Sequence, residues 1–164
     1  ASRATSRHSA RSRTVVTTEL GTPSLSARAD AFVDAARAVG LEPAVVRLGQ
    51  MTSYDNGVGA AHRLFTAAER PDAVFCVNDA TAFGLIDAAR HEFGLRVPED
   101  VSVIGFDNVM QAGWMSYQLT TFDHPVDDIA RHAVDLASGS RAARATPARI
   151  KLTAPLIWRR TVRI

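Results

Sequence analysis

Two stretches in the middle of the chain decide its fold. The first reads Pro71-Asp-Ala-Val-Phe-Cys-Val-Asn-Asp-Ala-Thr-Ala-Phe-Gly84, and the second Val97-Pro-Glu-Asp-Val-Ser-Val-Ile-Gly-Phe-Asp-Asn108. Each is a short apolar run that stops on polar residues, Asn78 and Asp79 in the first and Asp107 and Asn108 in the second. An almost wholly apolar run of this length suits a strand covered on both faces, as in a parallel sheet. Two such strands side by side bring amides and carboxylates to one edge, where open α/β sheets bind ligands. The pair predicts a small-molecule site in a chain that carries no enzyme motif.

Outward from this centre, strands and helices alternate. β-branched and apolar runs predict strands over 14–18, 44–48, 73–77, 101–105 and 119–122. Closing strands are expected at 149–153 and 156–160, on either side of Pro155. A helix capped by Ser24 or Ser26 runs to about Val39, with Ala29, Phe32, Val33 and Ala36 at helical spacing and Gly40 as its stop. After a polar turn at 49–57, a second helix covers 58–69 with Ala61, Leu64, Phe65 and Ala68 inward. Asp79 is placed to cap a third helix over 80–93, closed by Gly94. A short helix is expected at 109–117, and Pro125 suits the first turn of a helix over 125–137. This alternation predicts an α/β fold, a mostly parallel sheet flanked by helices.

A length of 164 residues suits one compact domain. No apolar run approaches the roughly 18 residues of a membrane span, and the first residues lack the apolar core of a signal peptide. A cytoplasmic location without membrane contact is therefore expected. Cys76, the single cysteine, builds neither an internal disulfide nor a metal site alone and is expected as a buried core thiol. The sequence pI is near 9.2 although the net charge is only +2. Arg3, Arg7, His8, Arg11 and Arg13 precede the first acid, Glu19, so residues 1–13 form a basic, poorly patterned segment. Such an arm can meet phosphates. It lacks aromatic residues, a helix-turn-helix pattern and zinc-ligand spacing, so the preferred reading is an ordinary solvated terminus.

The strand ends supply the candidate site. Ser24 and Arg28 follow the first strand, and Gln50, Met51 and Tyr54 the second. Asn78 and Asp79 end the third, Asp107 and Asn108 the fourth, and Asp123 and His124 the fifth. Arginine offers a planar fork of donors, while carboxylates and amides offer acceptors, a set that grips a vicinal diol, a ring amide or a carboxylate. Taken singly, each has a plainer use: Ser24 and Asp79 as helix caps, Arg28 as a solvated helix residue, Asp107 and Asn108 as a turn pair. Their coincidence on one edge carries the ligand-site reading. Trp114 and Tyr117 lie near the same edge, where they either stack on a sugar ring or pack beneath the loop.

Catalytic readings find little support. There is no Gly-x-Ser-x-Gly elbow and no phosphate loop, and Gly57-Val-Gly59 lacks the further glycine of a dinucleotide fingerprint. His8, His62, His91, His124 and His132 show no metal-ligand spacing. Asp127 and Asp128 fall in the first turn of a helix, where they complement its dipole. No metal, no cofactor and no catalytic residues are expected.

The residues 71–84 and 97–108, with Leu119-Thr-Thr121 and the ending Leu156-Ile-Trp-Arg-Arg-Thr161, resemble the ligand-sensing part of the lactose/galactose-repressor (LacI-type) family of bacterial transcription regulators. Arg28-Ala-Asp-Ala-Phe32 is similar to that family's Arg-x-x-Gly-Phe motif, with Ala31 in place of glycine. The resemblance implies a two-lobed periplasmic-binding-protein-like sensor joined to a DNA-binding head. Ligand between the lobes then alters a homodimer's grip on operator DNA. By position, Arg28, Asn78 and Asp107 match polar ligand contacts, Ser24 a less constant one, and His124 a place that touches ligand or the crossover. Met51 and Trp114 complete the candidate set.

The head and first lobe would precede residue 1, so residues 14–164 are expected to be the second lobe, with helix 125–137 packed on the first. Operator DNA would be met only through the head. Gln50 and Met51 stand where acidic and aromatic residues are common, and Tyr117 replaces a proline, which leaves the effector open beyond a small polar metabolite, a sugar being expected. Two alternatives stand beside this reading: a sugar solute-binding protein of a transport system, and a small α/β hydrolase using Asp79, Asp107 and His124.

Overall fold

The computed structural model describes residues 13–138 and 150–163. Ten regular elements follow in chain order: β1 (Arg13–Thr17), α1 (Pro23–Ala38), β2 (Ala44–Arg47), α2 (Tyr54–Phe65), β3 (Ala73–Cys76), α3 (Asp79–His91), β4 (Ser102–Asp107), β5 (Thr120–Asp123), α4 (Val126–Ala137) and β6 (Leu156–Ile157). A 3₁₀ turn at Met110–Gly113 joins β4 to β5. The strands form one six-stranded sheet in the order β2-β1-β3-β4-β5-β6. Every neighbouring pair is parallel except β5 with β6, which is antiparallel.

β1 lies between β2 and β3, so the chain leaves it in one direction and later returns past it in the other. Crossovers between parallel strands are right-handed, and this reversal puts α1 on one face and α2 and α3 on the opposite one. Alternation along β1 serves both layers. Val15 joins Ala29, Phe75 and Val77 under α1, while Val16 joins Leu64, Phe65, Leu85 and Ile86 under α2 and α3. Each fully buried side chain of that size stabilises the fold by roughly 1.5–3 kcal/mol.

α2 and α3 meet backbone to backbone. A Cβ on Gly57 would lie 2.1 Å from the Thr81 carbonyl oxygen, and one on Gly84 only 1.9 Å from that of Tyr54. No side chain fits at either crossing point, which explains the glycine in Asn78-Asp-Ala-Thr-Ala-Phe-Gly84.

Several boundaries differ from the sequence reading. α1 opens at Pro23, whose fixed φ suits a first helical position. Thr22 occupies the cap position, so neither Ser24 nor Ser26 caps the helix. α2 starts at Tyr54 rather than 58, because Ser53 caps it: its Oγ accepts from the Asn56 N–H at 3.1 Å. The cap of α3 is Asn78 rather than Asp79; the Asn78 Oδ1 accepts from Thr81 N–H at 3.0 Å. β4 continues to Asp107, where Phe106 and Asp107 pair with Phe122 and Asp123. The helix expected at 109–117 is the short 3₁₀ turn.

The closing strand expected at 149–153 is absent over the described residues 150–153. Pairing with β5 begins only at Leu156 and Ile157. Beyond it, the Thr120 hydroxyl takes the Arg159 N–H at 3.0 Å in place of a ladder bond. The basic segment expected at 1–13 lies outside the described residues except for Arg13, which opens β1.

Candidate ligand-binding edge

α1 carries Arg28 toward the carboxyl ends of the parallel strands. One guanidinium nitrogen, Nη1, donates to the Val77 carbonyl at 2.8 Å and to Asp107 Oδ1 at 3.0 Å. The guanidinium carbon lies 3.7 Å from the centroid of the Phe106 ring, so the cation is stacked as well as paired. Arg28 thus links the ends of β3 and β4. Burial pushes the Asp107 carboxyl up, and the neighbouring Arg28 charge only partly offsets it.

Asp107 and Asn108 both have positive φ, 122° and 54°. Side chains other than glycine rarely adopt this, and Asn and Asp tolerate it best. The turn is held from several sides. Asn108 donates from Nδ2 to Asp123 Oδ1 at 2.9 Å and accepts from Arg159 Nη2 at 2.7 Å. Arg159 also donates from Nη1 to the Leu119 carbonyl at 2.7 Å. From behind, the Val109 N–H donates to Asp79 Oδ2 at 3.0 Å.

Past β5, the His124 N–H donates to the Asp107 carbonyl at 3.4 Å, and its ring meets Phe106 edge-on. His124 Nδ1 is buried with no hydrogen-bond partner among the described residues. Asp107, Asn108, Asp123, His124, Asp127, Asp128 and Arg131 line a cavity of about 560 Å³ at these strand ends. Arg131 is already paired with Asp128 at 2.5 Å, as Arg28 is with Asp107. The wall therefore offers mainly acceptors, suited to a ligand rich in hydroxyl donors. Arg28 itself lines a second, apolar groove of about 620 Å³ between Phe32, Phe75, Phe106 and Phe122.

The sequence-predicted residues divide. Arg28, Asp107 and His124 come together around Phe106. Asn78 adjoins Val77, the carbonyl of which receives Arg28, but its own Oδ1 is engaged by Thr81. Ser24 is exposed, and its hydroxyl is 2.9 Å from that of Thr22. Met51 is 78% exposed and Trp114 49%, and neither lines the polar cavity. Tyr117 packs beneath the loop: its ring centroid is 4.3 Å from that of Phe83, and its hydroxyl donates to Asp87 at 2.8 Å.

Asp79 is 1% exposed and saturated by Thr121 and Val109, so no reactant reaches it in the way a hydrolase would need. The partnership of Asn108, Asp123 and Arg159 was not read from the sequence. The acid ending β5 and the arginine after β6 were its only signals.

The domain is a doubly wound α/β fold whose polar groups gather at the carboxyl ends of its parallel strands, the edge where such folds place their ligands. The family model for the periplasmic binding protein-like domain matches residues 8–162. The chain is 41% identical over 109 residues to the HTH-type transcriptional repressor PurR of Yersinia enterocolitica, a match covering 66% of this chain and 32% of that protein. A LacI-family transcriptional regulatory protein from Corynebacterium glutamicum superposes with a TM-score of 0.74 at 32% identity, over 95% of this chain and 59% of that one. A LacI-family regulator from Lactobacillus casei with bound glucose gives 0.73 at 26% identity, over 93% and 56%.

The chain belongs to the periplasmic binding protein-like family, and its sequence and fold are similar to those of LacI-type regulators. It spans about a third of the length of the curated relatives it matches. Among the described residues, no helix is long and apolar enough to cross a membrane, and no cluster of three or more potential metal ligands occurs.

Proposed function

We propose that this lobe binds a small polar effector, a sugar, and that binding controls the grip of a full-length homodimer on operator DNA. The observation that carries this reading is the Arg28–Asp107 pair, whose Asp107 lines an acceptor-rich cavity. Arg131, which lines that cavity, and Arg28, bonded to its Asp107, are each paired with a carboxylate, which favours a neutral polyhydroxylated ligand over an anion. The glucose held by the Lactobacillus casei regulator is of that chemical class. The chain senses its ligand rather than transforming it, in the cytoplasm, and DNA contact belongs to a head outside residues 1–164.

α4 is proposed to pack on the first lobe. It buries none of its residues here, and Val126, Ile129, Val134 and Leu136 are each more than two-fifths exposed. A full-length protein then closes two walls on the ligand, and this lobe alone binds it weakly.

The test is a thermal-shift screen of hexoses and pentoses on the full-length protein, glucose included. A sugar that raises the melting temperature in wild type and not in Asp107→Ala supports the site. A shift that survives Asp107→Ala refutes it.

A further inference from the structure

The proposed effector contact depends on a turn whose backbone is unfavourable, and one buried group stands behind it. Asp79 is the first residue of α3, yet Asn78 takes the capping role and leaves its carboxylate for other partners. Oδ1 of Asp79 accepts from the Thr121 hydroxyl at 2.6 Å, and Oδ2 from the Val109 N–H at 3.0 Å. β4 makes room for it, because a Cβ on Gly105 would lie 2.2 Å from the Asp79 Oδ1. One enclosed carboxylate thus joins the ends of β3, β4 and β5. Val109 directly follows the two positive-φ residues, so fixing its N–H fixes the peptide that leaves the turn.

We infer that Asp79 is a positioning residue: its carboxylate locks the Asp107–Asn108 turn from behind and so holds the Asp107 side chain on Arg28. This rests on the reading of Arg28 and Asp107 as effector contacts and adds a residue that never touches the effector. An apolar residue at 79 would strand the Val109 N–H and leave the Thr121 hydroxyl only its 3.5 Å contact with the Phe122 carbonyl. Asparagine keeps one acceptor for Val109, and the Thr121 hydroxyl can rotate to accept from its amide.

The test uses ligand-free full-length protein, so it stands whether or not a sugar binds. Amide exchange is followed at Val109 and, as a core reference, at Val103 in β4. The Arg28 Nε–H resonance reports the guanidinium. Asp79→Ala is expected to speed Val109 exchange at least about tenfold, the loss of one hydrogen bond, with Val103 within about twofold. The Arg28 resonance should move as it does in Asp107→Ala. Asp79→Asn should leave both near wild type. Thr121→Val, which removes one anchor and keeps the fold's volume, should move Val109 and Arg28 in the same direction as Asp79→Ala. Equal acceleration of Val103 and Val109 would reduce Asp79 to a general stabiliser and overturn the inference. So would an Arg28 resonance unmoved in Asp79→Ala and Thr121→Val.

Discussion

Arg28 and Asp107, 79 residues apart in sequence, meet at 3.0 Å, with the guanidinium laid over the Phe106 ring that precedes Asp107 in β4. Helix α1 and the two central strand ends are tied at one point by charge, hydrogen bonding and stacking together. Lysine can supply the charge but not the flat face. Arg28→Lys should therefore lower folding stability by about 1 kcal/mol, measured by urea unfolding, and weaken any ligand effect that needs Asp107 in place.

Asn108 has a different dependence. Its amide bridges Asp123 and Arg159, and its backbone is left-handed at φ 54°. Asn108→Ala should lose about 1.5–3 kcal/mol in urea unfolding, from hydrogen bonds to charged partners plus the left-handed backbone. Asn108→Gly should recover the backbone part and remain weaker than wild type. Equal losses for the two variants would show that the backbone conformation contributes nothing.

The α2–α3 crossing tolerates no added atom. Gly84→Ala should cost at least about 1–3 kcal/mol, since the new Cβ meets the Tyr54 backbone, which cannot turn aside. Gly113→Ala, where a Cβ meets nothing within 4 Å, should change stability by less than about 0.5 kcal/mol. Matched denaturation curves for both variants check the contrast.

The sheet was legible in the sequence because each central strand is a compact apolar run with a helical pattern after it. Arg28, Asp107 and His124 were legible because strand ends in such a sheet converge. The roles of Asn78 and Asp79 were not. Either side chain can cap a helix, and the choice follows from Gly105, a neighbour 26 positions from Asp79 that opens space for one carboxylate. For Trp114 and Met51 the sequence offers chain position alone, and their exposed side chains depend on how two loops turn. The start of α2 at Tyr54 is hidden in the sequence because Gly57 argues against a helix locally. The close approach to α3 requires it there.

Burial raises the Asp79 carboxyl above its ordinary value, more than the bonds from Thr121 and Val109 lower it. A raised folded-state value means that its contribution to stability is fully present below the unfolded carboxylate range. That contribution is lost as pH rises through the folded value. Asp79→Asn cannot ionise. The stability of wild type relative to Asp79→Asn should therefore fall as pH rises from about 3 to about 7, read from urea midpoints at matched slopes. A gap that stays level or widens would contradict the raised value.

Isothermal titration of the full-length protein with the sugar that gives the largest thermal shift tests the proposed site most directly. Asp107→Ala is expected to weaken that sugar at least about tenfold, the equivalent of one charge-assisted hydrogen bond, while leaving the unliganded protein folded. Unchanged affinity in a folded Asp107→Ala protein would place the effector elsewhere and contradict the role given to Arg28 and Asp107.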